Sequence, residues 1–199
     1  MPKNALPARV PAGPTLQLEV TEAIRNAFFE ELADVGFGRL SIDAVARRAG
    51  VGKAAIYRRW KSKLDMTIAL ISEVAVGAID VPDTGTLHGD VREYLNRGRE
   101  AVTQRLAGKI IPDLLAEGSR NPDLTSALLE GVRDPRRIKA AQLIHRAIKR
   151  GELPADTDIG LCLDFLAGPL YWRLIVLRGD IDGTYLDRLA TKILAAMRG

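Results

Sequence analysis

Eight basic side chains fall between Arg39 and Lys63: Arg39, Arg47, Arg48, Lys53, Arg58, Arg59, Lys61 and Lys63. Asp43 is the one acid in that window, a local excess of +7. The whole chain carries +4, so the remainder sums to −3. A concentrated cationic patch on a mildly acidic molecule attracts phosphate, and release of condensed counterions makes such binding salt-dependent. Other chemistry has little material. The chain holds His88, His145 and the lone Cys162, with no metal-ligand spacing, no phosphate-cradling glycine loop and no nucleophile elbow. The expectation is a non-enzyme with no metal and no cofactor. One cysteine builds no disulfide framework, which fits a reducing cytoplasm.

Charge alone describes a solvated surface equally well. The apolar spacing beneath it is more informative. Two short helices crossing steeply need a small residue at the crossing, a residue tolerating a left-handed backbone in the turn, and a branched apolar residue keying the second helix into the first. Ala46, Gly50 four residues on and Ile56 six further on meet these needs in order. Val45, Ala49 and Val51 fill the remaining inward positions, and charged residues avoid all six. The pattern predicts a helix-turn-helix over Ser41 to Trp60, whose second helix enters the major groove.

The outward residues then acquire roles. Ser41 stands at a helix N-terminus, where N–H groups and the dipole favour an anion. Lys53 reaches guanine acceptors or a phosphate, and Arg58 can read guanine with two hydrogen bonds. Tyr57 and Lys63 suit phosphate gripping, which positions the protein without reading sequence. With Gly52, Ala54 and Arg59 they form the expected DNA-facing set. Trp60 is read as packing.

The elements that must hold this unit are helical nearly throughout, so the expected fold class is all-α. Residues 1–14, rich in Pro and Ala, lack the apolar block of a signal peptide and read as a mobile arm. Thr15 can cap a first helix carrying Ile24, Phe28, Leu32 and Val35 inward, stopped by Gly36 and Gly38. Ser62 with Asp65 forms a capping box opening a helix to about Ile79. The expected divisions are therefore an arm (1–14), a DNA-binding domain (15–61), a linking helix (62–80) and a second domain (81–199). In that second half Thr86 and Asn121-Pro122 read as helix starts, Asp134-Pro135 as a break or restart, and Asp156 as the cap of a segment over Ile159 to Leu177, kinked at Pro169. The helix before it is expected to turn Ile138, Ala141 and Ile148 inward, with His145 in core or interface. A last helix over Tyr185 to Met197 has Leu186, Leu189, Ile193, Leu194 and Met197 inward. The segment Ile159 to Leu177 is apolar all round, but Asp164 and Arg173 lie inside it, which argues against a membrane span and for a core or an interface with a second copy.

The stretch SIDAVARRAGVGKAAIYRRWKSK, Ser41 to Lys63, resembles the DNA-binding signature of the TetR family of transcriptional regulators, over roughly Ile24 to Leu70. Gly151-Glu152-Leu153-Pro154 and Gly168-Pro169-Leu170-Tyr171 resemble stretches of one branch of that family. The resemblance implies a three-helix DNA-binding domain, a linking fourth helix, and a C-terminal domain that binds a small effector and forms a homodimer through its last two helices. A repressor released from a double-stranded operator by its ligand follows. The rivals are a constitutive DNA-binding protein and a protein-interaction adaptor; about 115 residues exceed what dimerisation alone needs, and clustered Lys and Arg disfavour the adaptor. Tyr94, His145 and Trp172 are the expected ligand-binding residues, chosen as polar-tipped or aromatic groups in the apolar half. Many members carry Ser or Thr where this chain has Gly52, and Thr where it has Ala55. Glycine in place of a capping hydroxyl costs a helix only a few tenths of a kcal/mol, so the helix is expected to form without the phosphate contact. Lys61 stands where proline is common.

Overall fold

The structure, a computed structural model, describes residues 14–77 and 80–198. Apart from Pro14, the expected arm lies outside the described residues, as do Ala78 and Ile79 at the expected end of the linking helix. The described residues form ten α-helices and two π-helical turns, without strands.

Helix α1 (Pro14–Arg39) begins one residue before Thr15, so Thr15 lies inside the helix and not at its cap. Gly36, with φ 75° and ψ 165°, interrupts it, a conformation open essentially to glycine alone. Helices α2 (Ile42–Arg48) and α3 (Lys53–Tyr57) follow, then α4 (Lys63–Gly77). At the start of α4 the Asp65 N–H donates to Ser62 Oγ (3.0 Å), and the Asp65 carboxylate accepts from the Lys61 N–H (2.8 Å). The capping box is therefore present, its return bond one residue earlier than usual.

Helices α5 (Leu87–Thr103), α6 (Ala107–Gly118) and α7 (Pro122–Leu128) lead through a π-helical turn (Leu129–Arg133) into α8 (Asp134–Lys149). Asp134-Pro135 marks a restart, as expected: α8 begins at Asp134 directly after the π-helical turn, with Pro135 in its first turn. Helix α9 (Ile159–Tyr171) is capped by Asp158, not Asp156: Asp158 Oδ1 accepts from the Leu161 N–H (3.0 Å). After Pro169 the helix slips into a second π-helical turn (Trp172–Val176) before α10 (Gly183–Arg198).

Two apolar cores result. Leu87, Val91, Leu95, Leu143, Leu166, Leu186 and Ile193 belong to the C-terminal one. Ile24, Phe28, Leu32, Val45, Ile56 and Leu70 belong to the N-terminal one, joined by Ile110 and Leu114 of α6 and Leu124 of α7. The second half of the chain thus completes the core of the first. Helix α8 buries Ala140, Leu143, Ile144 and Ala147, whereas Ile138 is 71 % exposed and His145 is exposed. This corrects the expectation for Ile138 and His145, while Ala141 and Ile148 do pack, partly buried, against the C-terminal core. Two apolar stripes run along α8, about 130° apart at 3.6 residues per turn; only the helices packed around it decide which is the more deeply buried. Cys162 is buried, and burial pushes its thiol up, so it stays protonated as a small core residue.

Candidate nucleic-acid interface

Serine at position 41 starts the site. In an extended backbone its hydroxyl accepts from the Ala44 N–H (3.2 Å) and caps α2. Val45 and Ala46 are buried at the crossing, and Ile56 is wholly buried against them. In the turn Gly50 has φ 67°, and a Cβ there would meet no atom within 4 Å. Glycine is required at 50 for its backbone angle, not for space. The Val51 N–H returns to the Ala46 carbonyl (3.0 Å), closing the turn. Gly52 caps α3 without a side-chain hydrogen bond, and α3 still forms, though shorter than expected. Trp60 is buried in the core, as read from the sequence.

Of the expected DNA-facing set, Ser41, Gly52, Lys53, Ala54, Tyr57 and Arg58 are exposed on one side of this unit. Arg58 makes no ion pair or side-chain hydrogen bond among the described residues, nor does the exposed Arg47 on α2. Lys53 Nζ pairs with Asp43 Oδ2 at 2.5 Å, which holds the amine between the two helices. Arg59 and Lys63 behave differently. Arg59 folds back onto α1, donating to Thr21 Oγ1 (3.0 Å), to the Ala55 carbonyl (2.8 Å) and to the Gln17 carbonyl (3.2 Å). Lys63 Nζ donates to the carbonyls of Phe37 (2.9 Å) and Gly38 (3.4 Å) and lies 4.4 Å from the Phe37 ring centre. Both cations are engaged by the fold, as is Arg48, which pairs with Glu31 (3.1 Å) and Asp34 (2.9 Å) on α1. The window's +7 therefore overstates the charge free for phosphate. Arg47 was not singled out from the sequence; its place on the outer face of a seven-residue helix was the available signal.

Residues 24–70 match the profile of "Bacterial regulatory proteins, tetR family", and residues 81–193 match "Tetracyclin repressor-like, C-terminal domain". The chain belongs to the TetR family. It is a DNA-binding transcriptional regulator with an N-terminal helix-turn-helix and an all-helical C-terminal domain. The TetR protein described as a DNA-binding transcriptional repressor in Mycobacteroides abscessus is 31 % identical over 163 residues, 81 % of this chain and 85 % of that one. The uncharacterized HTH-type regulator YdeS of Bacillus subtilis is 29 % identical over 178 residues, 89 % and 88 % of the two chains. Among solved structures, the TetR family regulator SCO0332 superposes with a TM-score of 0.67 at 28 % identity, covering 89 % of this chain and 97 % of that one. FadR from Bacillus subtilis, solved with stearoyl-CoA, superposes at 0.68 and 18 % identity, over 90 % and 98 %.

The expected effector residues of this TetR-family chain are not brought together. Tyr94 packs half-buried against the C-terminal core, His145 lies on the outer face of α8, and Trp172 is 56 % exposed after α9. An open groove of about 790 Å³ runs past Asp83, Arg92, Asn96 and Arg97, and a smaller one of about 340 Å³ past Arg173, Tyr185 and Arg188; none of the three residues lines either. Helix α9 and its π-helical turn bury Cys162, Leu163, Leu166 and Leu170 on one side. The other side leaves Leu161 (52 %), Trp172, Val176 and Leu177 exposed, with Tyr171 between them.

Proposed function

We propose that the protein is a homodimeric repressor, released from its operator by a small molecule bound within residues 81–199. The observation that carries DNA reading is the outer face of α3, where Lys53, Tyr57 and Arg58 stand exposed beside Gly52 and Ala54 on a unit locked by Ala46, Gly50 and Ile56. Ser41 and Arg47 extend that face toward the phosphate backbone. Dimerisation is supported by the largely apolar stretch Ile159–Val176, α9 with its π-helical turn, of which only about a fifth is buried. An exposed apolar face of that extent on a soluble regulator marks an interface. Two copies would set their α3 helices about 34 Å apart, one turn of DNA. An effector favouring another spacing shifts the dimer off its site. Repression is supported by the name of the Mycobacteroides relative, and effector control by FadR's complex with stearoyl-CoA and by the flavonoid-responsive FrrA, which shares the fold at a TM-score of 0.70. The domain divisions 15–61, 62–80 and 81–199 and a cytoplasmic location complete the proposal.

The test is selection of genomic fragments by the purified protein. Enrichment of a two-fold-related sequence with half-sites one helical turn apart, or a multiple of it, is expected. Binding without any enriched sequence would overturn the operator, and genes beside the enriched sites would indicate the effector's class.

A further inference from the structure

The interruption of α1 at Gly36 places one residue, Phe37, between three helices, with the peptide groups on either side of its Cα each bonded to a different one. Its N–H donates to Asp113 Oδ2 on α6 at 2.8 Å, seventy-six residues away in the chain. Its carbonyl accepts from Lys63 Nζ at the start of α4. Its ring is buried in the N-terminal core, with the Lys63 amine over its face. Gly36 makes this possible twice over. Its backbone angles frame the bend, and a Cβ there would overlap Asp113 Oδ1. Helix α6 is itself compliant at this point. Pro112, one residue before Asp113, has no N–H to give the Gly108 carbonyl, so α6 lacks a backbone bond where it meets α1.

We infer that Asp113 is a positioning residue, its carboxylate latching the Phe37 N–H and so fixing the angle between the DNA-binding unit and the C-terminal domain. The exposed set on α3 contains no residue of α6, yet the spacing of two α3 helices depends on that angle. A change in α6 reaches α1 through this bond and α4 through Lys63 on the carbonyl of the same residue. The inference extends the proposed effector-controlled repressor by naming the joint through which the two domains keep register.

The test needs neither DNA nor effector, so its failure is separable from failure of the repressor reading. Spin labels at Arg47→Cys on α2 and Lys149→Cys on α8, with Cys162→Ala removing the native thiol and unlabelled protein diluting dimers, report the inter-domain distance. One narrow distance is expected for the parent. Asp113→Ala should broaden or displace it, and protection of the Phe37 amide from exchange should fall roughly tenfold. Asp113→Asn keeps an oxygen acceptor and should retain the parent distance. Gly36→Ala pushes the carboxylate away by a separate route and should reproduce the displacement; it decides the matter if Asp113→Ala gives no cooperative melt. Parent-like distances in Asp113→Ala or Gly36→Ala overturn the latch. An Asn variant as broad as the Ala variant assigns the effect to charge and overturns the hydrogen bond's role.

Discussion

Two adjacent arginines should respond oppositely to the same substitution. Arg58 is exposed and makes no ion pair or side-chain hydrogen bond among the described residues, so Arg58→Ala should leave folding within about 0.5 kcal/mol of the parent. Its whole effect should fall on DNA. A bidentate guanine contact is worth about 1–3 kcal/mol, and a dimer loses two, so operator binding should weaken by at least about thirtyfold. If the two guanidinium groups meet phosphate instead, the slope of log K against log salt should fall by about 1.8. Arg59 makes three hydrogen bonds, two of them tying α3 to α1 through Thr21 and Gln17. Discounted for partial exposure, their loss should cost about 1–2 kcal/mol of stability, a fall of roughly 2–8 °C in Tm for a chain of this size. Arg59→Ala should weaken DNA binding by loosening α3, with its salt slope within about 0.5 of the parent. Fluorescence anisotropy on a selected operator duplex between about 50 and 200 mM salt, alongside thermal melts, separates the two. A normal Tm for Arg59→Ala with the slope reduced as far as in Arg58→Ala would refute the argument, since Arg59 would then be a phosphate ligand.

Three further outcomes follow from the packing. Gly50→Ala meets no atom and pays for its left-handed angle alone, about 1–2 kcal/mol. Ala46→Leu overpacks the α2–α3 crossing by about 1–3 kcal/mol; chemical denaturation measures both, and parent-like stability in either removes the stated constraint. Leu161→Asp with Trp172→Asp puts charge on the exposed apolar face of α9 and should give a monomer at micromolar concentration by sedimentation velocity; an intact dimer would place the interface elsewhere. Burial acts to raise the Glu152 carboxyl, but the Leu87 N–H at 2.7 Å and the Arg150 guanidinium at 2.6 Å outweigh it and hold the group below the usual carboxylate range. A depressed carboxyl stabilises the fold above its unfolded pKa of about 4.3 and loses that contribution as pH falls through the folded value. The Tm deficit of Glu152→Gln should therefore be full at neutral pH and shrink toward pH ~3; a deficit independent of pH would show that the ionised form contributes nothing.

By itself the sequence determined the helix-turn-helix. Its requirements are local: Ala46, Gly50 and Ile56 lie within eleven residues, and the left-handed angle of the turn or the crossing of two short helices leaves few residue types that fit. Helix periodicity likewise placed the buried face of α10, where one apolar stripe dominates. Tertiary structure decided what depended on distant partners. Arg59 and Lys63 carry the same charge as Arg58, but α1 offers them carbonyl and hydroxyl acceptors that no spacing rule reveals. Helix α8 has two apolar stripes, and the surrounding core chose Ala140, Leu143 and Ala147 over Ile138 and His145. Tyr94, His145 and Trp172 were chosen by residue type, which carries no information on where a side chain points. Asp113 was invisible for the same reason: a carboxylate on α6, like Glu117 one turn on, gains meaning only when Gly36, far away in the chain, opens a bend for it to close.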